Sequence, residues 1–474
     1  MQRLNRGMLR RYEIPEHAPA GVTAVQFGLS EALLGVADRL LDAACPGLGI
    51  ACVPPDAPWN GTGADPATLL REQEGLFTLL ARGYQGETPV KREIVIQSIL
   101  RVTDGADALA GLAVKPGLAL GLVDTQAQSA EADLKSAARL LAKRYTAGLD
   151  GLWMICLGED IECADRARDA VAASVPASEA AGDFAGWLAE RCAFCPALPD
   201  GLVFRADAKE AARQCAEMNY ADGMLHLAEP YAALTIQAPA GLRECLPLDG
   251  DGAGIQIVDD LAPALDRKRR AFDAGLCAMA APGWLLGCDT LSDCMKHERL
   301  RAFVGRVYTE ELLPAGPDAR QALAPLVIQA FERFENPLNR NALLPSACPL
   351  LSRFRRAALP LMRAWAEERF EPPRGLSFAL AATIMLCAGA RPNARGQYEI
   401  FRGTQVHILD DDPAALAVFA TLSHDMPPEA LAYAVLADRE LWDGEDLREI
   451  DGLEARVALD IANLQRRPDY LPEA

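Results

Sequence analysis

Four places in the sequence carry residue types whose spacing could do chemistry. The first is Phe27-Gly28-Leu29-Ser30-Glu31-Ala32, where a β-rich run from Val22 to Phe27 meets a helical pattern that Ser30 can cap through about Cys45. Glycine at such a turn lets the backbone approach a pyrophosphate, which then rests on the helix N-terminus. Only Gly28 of a Gly-x-Gly pattern is present, and the carboxylate nearest the end of the next strand is Asp56, so as a bare motif this reads better as a plain strand-to-helix turn. The second place, Gly250-Asp251-Gly252-Ala253-Gly254, precedes the strand-like Ile255 to Val258; a phosphate loop follows a strand, so this reads as a flexible turn. The third is Cys192-Ala193-Phe194-Cys195. A structural zinc needs four ligands, and none of the five histidines (His17, His226, His297, His407, His424) stands at ligand spacing from this pair. Cys294 and His297 form an equally isolated pair. No metal is expected. The fourth is Lys268-Arg269-Arg270 after Asp266, where a buried lysine would be a metal-free general base but a basic triplet on a helix is ordinarily a solvated face.

The elements that must position these residues change character along the chain. Strand-like runs at Val22–Phe27, Gly49–Val53, Gly75–Leu80, Ile94–Leu100, Leu118–Val123 and Leu152–Cys156 alternate with helical patterns such as Ala130–Tyr145 and Ala164–Ala173. That alternation predicts a mostly parallel sheet with helices on its faces. From about Asp259 the strand signal fades and long helical patterns follow, among them Leu261–Ala281, Leu291–Leu313, Ala319–Arg333, Leu350–Arg369 and Ser377–Ala388. The expected organisation is an α/β domain over residues 1–258 and an all-α domain over residues 259–474. Pro54–Gly63 reads as a surface loop.

Composition bounds the partners. The chain has 474 residues, half of them hydrophobic and 24% charged, which excludes a disordered chain and a small disulfide scaffold. Its 47 Lys and Arg against 66 Asp and Glu leave −19, a field that repels phosphate backbones and anionic lipid, so neither nucleic acid nor a membrane is an expected partner. Met1–Arg11 is basic but leads into Tyr12-Glu13-Ile14-Pro15 with no apolar signal core, and Phe378–Ala390 is too short to span a bilayer. The thirteen scattered cysteines are expected to be reduced thiols of a cytoplasmic protein.

A set of motifs in order and spacing resembles the mannitol dehydrogenase family, the polyol-specific long-chain dehydrogenases, and within it the tagaturonate reductase branch. These are Leu4-Asn5-Arg6, Gln26-Phe27-Gly28, Glu72 to Arg82 with Glu93-Ile94, Phe194-Cys195, and Ala228-Glu229-Pro230-Tyr231 in the first half. The second half contributes Leu285 to Thr290, Glu310-Glu311-Leu312-Leu313-Pro314, Arg333-Phe334-Glu335-Asn336-Pro337, Ser377 to Ala382, and Trp442-Asp443-Gly444-Glu445-Asp446-Leu447. The resemblance implies a Rossmann-like dinucleotide-binding domain followed by a helical substrate domain, with NAD or NADP as cofactor and a small sugar acid or polyol as substrate.

The resemblance also implies residue roles. Phe27, Gly28, Ser30 and Asp124 fall at cofactor-binding positions. The family's catalytic helix reads Lys-x4-Asn-x2-His, which places Lys268 as the group that moves the proton, Asp273 at the Asn position and Leu276 at the His position. Arg353 and Arg355 are expected to hold a substrate carboxylate in a guanidinium fork. The chain departs from the pattern at both sites. Ser30 replaces a glycine, Glu31 adds a carboxylate near the pyrophosphate position, and Asp273 accepts from a hydroxyl but cannot donate to a carbonyl as an amide does. Two outcomes are therefore open. An active NAD(P)-dependent oxidoreductase expects Gly28, Ser30 and Asp124 to line a cofactor cleft and Lys268 to stand without a tight partner. A non-catalytic relative, a binding or assembly protein on the same scaffold, expects the cleft filled or Lys268 locked to Asp273 or Asp266.

Overall fold

Ala24-Val25-Gln26-Phe27 forms a strand, β1 (Ala24–Phe27), whose four residues are all buried, as expected of a run that carries helices on both faces. It pairs in parallel with β2 (Ile50–Val53) on one side, while β3 (Phe77–Gln85), β4 (Thr88–Ile96) and β5 (Ile99–Val102) follow in the chain. On its other side it pairs in parallel with β6 (Leu120–Asp124). The chain continues through β7 (Trp153–Leu157), β8 (Ala193–Asp200), β9 (Val203–Arg205), β10 (His226–Ala228), β11 (Ala233–Gln237) and β12 (Ile255–Val258). The main sheet runs β12-β11-β8-β7-β6-β1-β2-β5, parallel at every pairing except β8 with β11. The order reverses at β1, which makes the carboxyl ends of β1 and β6 the crevice where open α/β sheets bind ligands.

The computed structural model describes residues 1–474 apart from 13, 17–18, 57–63, 86–87, 104, 176–181, 247, 249–253, 314–316, 337–341 and 473–474. The glycine-rich stretch 249–254 and the loop 54–63 lie largely outside the described residues. The chain divides into two compact units, Met1–Leu265 and Asp266–Ala474. In the first unit, one apolar layer joins β1 to the helix Ala130–Thr146 through Val25, Phe27, Ala137, Ala138 and Leu141. The layer on the opposite face contains Leu33, Leu34, Leu40 and Leu41 of the segment that follows β1.

Two expected strands are rearranged. Gly75–Leu80 begins as β3 only at Phe77, because Gly75, at φ +82°, donates its N–H to Leu70 O (2.8 Å) and closes the preceding helix Pro66–Glu72. β3 then pairs antiparallel with β4 in a second sheet, ordered β4-β3-β10-β9, instead of joining the parallel one. The run Ile94–Leu100 is two strands. Buried Asp42 accepts from the amides of Gln97 and Ser98 (2.8 and 2.7 Å), which takes both amides out of any ladder between β4 and β5.

The second unit is built of helices, with Ala274–Leu285 and Arg374–Cys387 buried along almost their whole length, as sequences apolar all round must be. It is not wholly helical. A small antiparallel sheet of β13 (Arg391–Pro392), β14 (Tyr398–Arg402) and β15 (Gln405–Leu409) lies in it. Its strands are two to five residues long, too short for alternation to stand out from the Gly396 and Gly403 turns. Among the described residues no helix is long and apolar enough to cross a membrane.

A Cβ on Gly75 would run into the backbone carbonyl of Ile99, and the positive φ strains any other residue. Gly75→Ala is expected to destabilise the protein by about 2 kcal/mol, read from the urea midpoint at unchanged m-value.

Candidate functional site

In the first unit, the candidate cofactor residues gather at the reversal of strand order. Phe27 ends β1 with its ring in the apolar layer, so it shapes the strand end and offers no side-chain contact to a ligand. Gly28 follows at φ +93°, where a Cβ would stand 2.5 Å from Asp133 Oδ2. The turn is steadied by Gln26, whose Nε2 donates to Gly28 O (3.2 Å). Ser30 caps the next segment, its Oγ accepting from the Leu33 amide (3.2 Å), and its hydroxyl also bonds the Asp124 carboxylate. Asp124, the last residue of β6, accepts from the Gln126 amide (2.9 Å). Burial pushes its carboxyl above the usual range despite those hydrogen bonds. Glu31 is exposed, and Asp56, just beyond β2, is paired with Arg139 (3.1 Å).

Asp133 escaped the sequence reading. It lies in the first turn of the helix Ala130–Thr146, where an acid ordinarily only complements the helix dipole. Here it is 1% exposed, takes the Ser129 hydroxyl on Oδ2 (2.7 Å), and sits under Gly28. Burial, with the nearby charge of Asp124, raises its carboxyl to about 6. The strand end, the bare Gly28 and the helix start fit a dinucleotide. Phe27 and Gly28 would supply backbone and Ser30 a hydroxyl, while the Asp124 and Asp133 carboxylates count against a pyrophosphate.

In the second unit, Lys268, Asp273 and Arg353 meet in one buried cluster. Lys268 Nζ reaches both oxygens of Asp273 (2.8 and 3.1 Å), and Arg353 Nη1 shares Oδ1 at 2.8 Å. Asp273 is 3% exposed and Lys268 9%. Lys268 is therefore not on a solvated face, and the tight partner expected of a non-catalytic relative is present. Residues five apart lie about 140° from each other around an α-helix, so the pair depends on a local departure. Arg269–Asp273 is a π-turn, with the Ala274 amide donating to Arg269 O five residues back. A second such turn, Phe354–Ala358, directly follows Arg353. π-turns of this kind concentrate at functional sites.

Arg355, expected to share a carboxylate with Arg353, instead reaches Asp412 (2.9 Å) and Asp443 (3.2 Å). Leu276 is wholly buried. Arg333, within a motif that carried the family resemblance, stacks 3.8 Å above the Phe272 ring. A cation stacked on the ring next to Asp273 had no signal in residue spacing.

The cysteine pairs resolve as structure. Cys195 lies in the apolar layer on one face of the main sheet and Cys192 packs against the layer on the other, since residues three apart in an extended segment face opposite ways. Burial raises both thiols to about 11. His297 caps the helix Glu298–Val307, its Nδ1 accepting from the Leu300 amide (3.3 Å). Among the described residues no cluster of three potential metal ligands occurs.

The family description "Mannitol dehydrogenase C-terminal domain" matches residues 260–464. An altronate oxidoreductase of Yersinia pestis bv. Antiqua (strain Nepal516) is 28% identical over 426 residues, covering 84% of this chain and 85% of its own. That of Klebsiella pneumoniae (strain 342) is 29% identical over 423 residues, covering 83% and 84%. In fold, the chain is similar to mannitol 2-dehydrogenase of Pseudomonas fluorescens, solved with NAD and D-mannitol, at TM-score 0.75 and 15% identity over 99% of this chain and 98% of that one. It is also similar to a substrate-free D-sorbitol dehydrogenase, at TM-score 0.67 and 16% identity over 99% of each.

Asp133 makes stability pH-dependent. Its carboxyl moves from an ordinary value of 3.8 to about 6 on folding, so the native state binds the proton more tightly and is penalised by about 3 kcal/mol when the group ionises. The penalty is complete above pH 6, shrinks as pH falls, and is gone below 3.8. Asp133→Asn is therefore expected to raise the melting temperature at pH 8 and to match the parent protein near pH 4; equal shifts at both values would exclude Asp133 as the source.

Proposed function

We propose that the chain, similar over residues 260–464 to the mannitol dehydrogenase C-terminal domain, is a nicotinamide-dependent oxidoreductase interconverting a hydroxy sugar acid or polyol and its keto form. The observation that carries this reading is the convergence of an ammonium and a guanidinium on one buried oxygen, Asp273 Oδ1. The reaction asks for the same two donors: a group that moves a proton at the carbinol or carbonyl oxygen, and a fork that holds a carboxylate. The backbone of Phe27 and Gly28 and the hydroxyl of Ser30, which Asp124 orients, would hold NAD or NADP, and the nicotinamide would supply hydride chemistry when bound.

Lys268 moves the proton at the reacting oxygen. Asp273 orients Lys268 and accepts from a neighbouring substrate hydroxyl, the one hydrogen-bonding role an ionised carboxylate shares with the family's amide. Arg353 holds the substrate carboxylate, which favours sugar acids over neutral polyols. Arg355, tied to Asp412 and Asp443, supports the segment that carries Arg353. One observation favours the second reading, a non-catalytic relative: Lys268 is engaged by both oxygens of Asp273.

Titration with NADH and NADPH, followed by nucleotide fluorescence, separates the two. Saturable micromolar binding is expected, and uronates, aldonates and polyols are then screened for turnover. Lys268→Ala is expected to lower kcat at least about 100-fold at unchanged nucleotide affinity. Folded protein that binds neither nucleotide would overturn the oxidoreductase reading and leave the non-catalytic one.

A further inference from the structure

The Lys268–Asp273 pair exists only because the helix widens between them, and the widened turn is gripped from outside. Tyr308 begins a third π-turn, Tyr308–Leu312, in which the Leu313 amide donates to Tyr308 O (2.9 Å). Its side chain is 1% exposed, and its hydroxyl donates to the carbonyl of Ala271, the middle residue of Arg269–Asp273, at 2.7 Å. The sequence has made room for this contact. Gly275 lies one turn further on, and a Cβ there would fall inside the phenol oxygen's contact radius. Burial raises the phenol above its ordinary value, so it is a neutral donor at every pH the protein works in. The ring also packs on Phe331, centroid to centroid 5.3 Å.

We propose that Tyr308 is a positioning residue: by bonding the Ala271 carbonyl it holds the turn Arg269–Asp273 in its wide form and thereby keeps Lys268 and Asp273 on one face, within reach of Arg353. A donor inserted into the i→i−4 ladder from a side chain is a known cause of local helix distortion. Without it, the buried carbonyl finds its partner most readily by rewinding to the α form, since leaving it unbonded is costly. Rewinding swings Asp273 away from Lys268. The hydroxyl acts through the backbone and touches no substrate. The catalytic consequence rests on Lys268 moving the proton, whereas the geometric claim does not.

The test compares Tyr308→Phe with Phe331→Leu, which loosens the same ring and spares the hydroxyl. In a crystal structure of Tyr308→Phe, residues 269–273 are expected as regular α-helix with Lys268 Nζ beyond 4 Å from Asp273, and retention of the pair near 3 Å would overturn the proposal. In turnover, Tyr308→Phe is expected to lose about tenfold or more in kcat with nucleotide affinity within twofold. Phe331→Leu is expected to lose melting temperature to a similar degree while keeping kcat. Equal kcat losses in both variants would reduce Tyr308 to a packing residue and overturn the proposal. If the parent protein turns nothing over, the oxidoreductase reading fails, and the crystallographic comparison alone decides the role of Tyr308.

Discussion

Asp273 is the constraint around which the helical unit is arranged. A carboxylate 3% exposed is tolerable only when its charge is met, and here an ammonium five residues away and a guanidinium eighty residues away meet it. Such a cluster contributes little net stability, because three charges lose their water to form it. What it secures is register, since Lys268, Asp273 and Arg353 cannot shift independently without stranding a buried charge. Two π-turns adjoin these side chains, Arg269–Asp273 between Lys268 and Asp273 and Phe354–Ala358 directly after Arg353.

The first unit solves a different problem. Its parallel sheet buries β1 on both faces, so the first place where the chain can offer polar groups is the strand end. There the structure concentrates acids rather than bases. Asp124 is shared between Ser30 and the Gln126 amide, and Asp133 fills the space that a glycine leaves beneath the turn. Gly28 is thus required twice, for its positive φ and for the carboxylate it accommodates. A carboxyl held at about 6 changes charge near neutrality, so the turn carries less negative charge as the pH falls.

The two interruptions to the expected strand pattern have different origins: at Gly75 a backbone amide closes the preceding helix, and between β4 and β5 a side chain intervenes. There Asp42 captures the amides of Gln97 and Ser98, which local sequence assigned to a ladder. The thiols show the converse. Cys192 and Cys195 look like a pair on paper, but an odd separation in an extended segment sends them to opposite layers.

The sequence by itself determined the α/β half, the helical half and the strand-to-helix turn at Gly28, because these follow from periodicity and from the conformational freedom of single residues. Through family motifs it also singled out Lys268, Asp273 and Arg353. Only the tertiary structure decided that these three share one carboxylate, that Arg355 turns away to Asp412 and Asp443, and that Asp133 lies under Gly28. The physical reason is distance along the chain. Contacts between residues tens of positions apart depend on helix packing and on turns of irregular width, and neither leaves a period in the sequence. Lys268 and Asp273 make the point within six residues, for the α-helical spacing that a sequence implies would have held them apart.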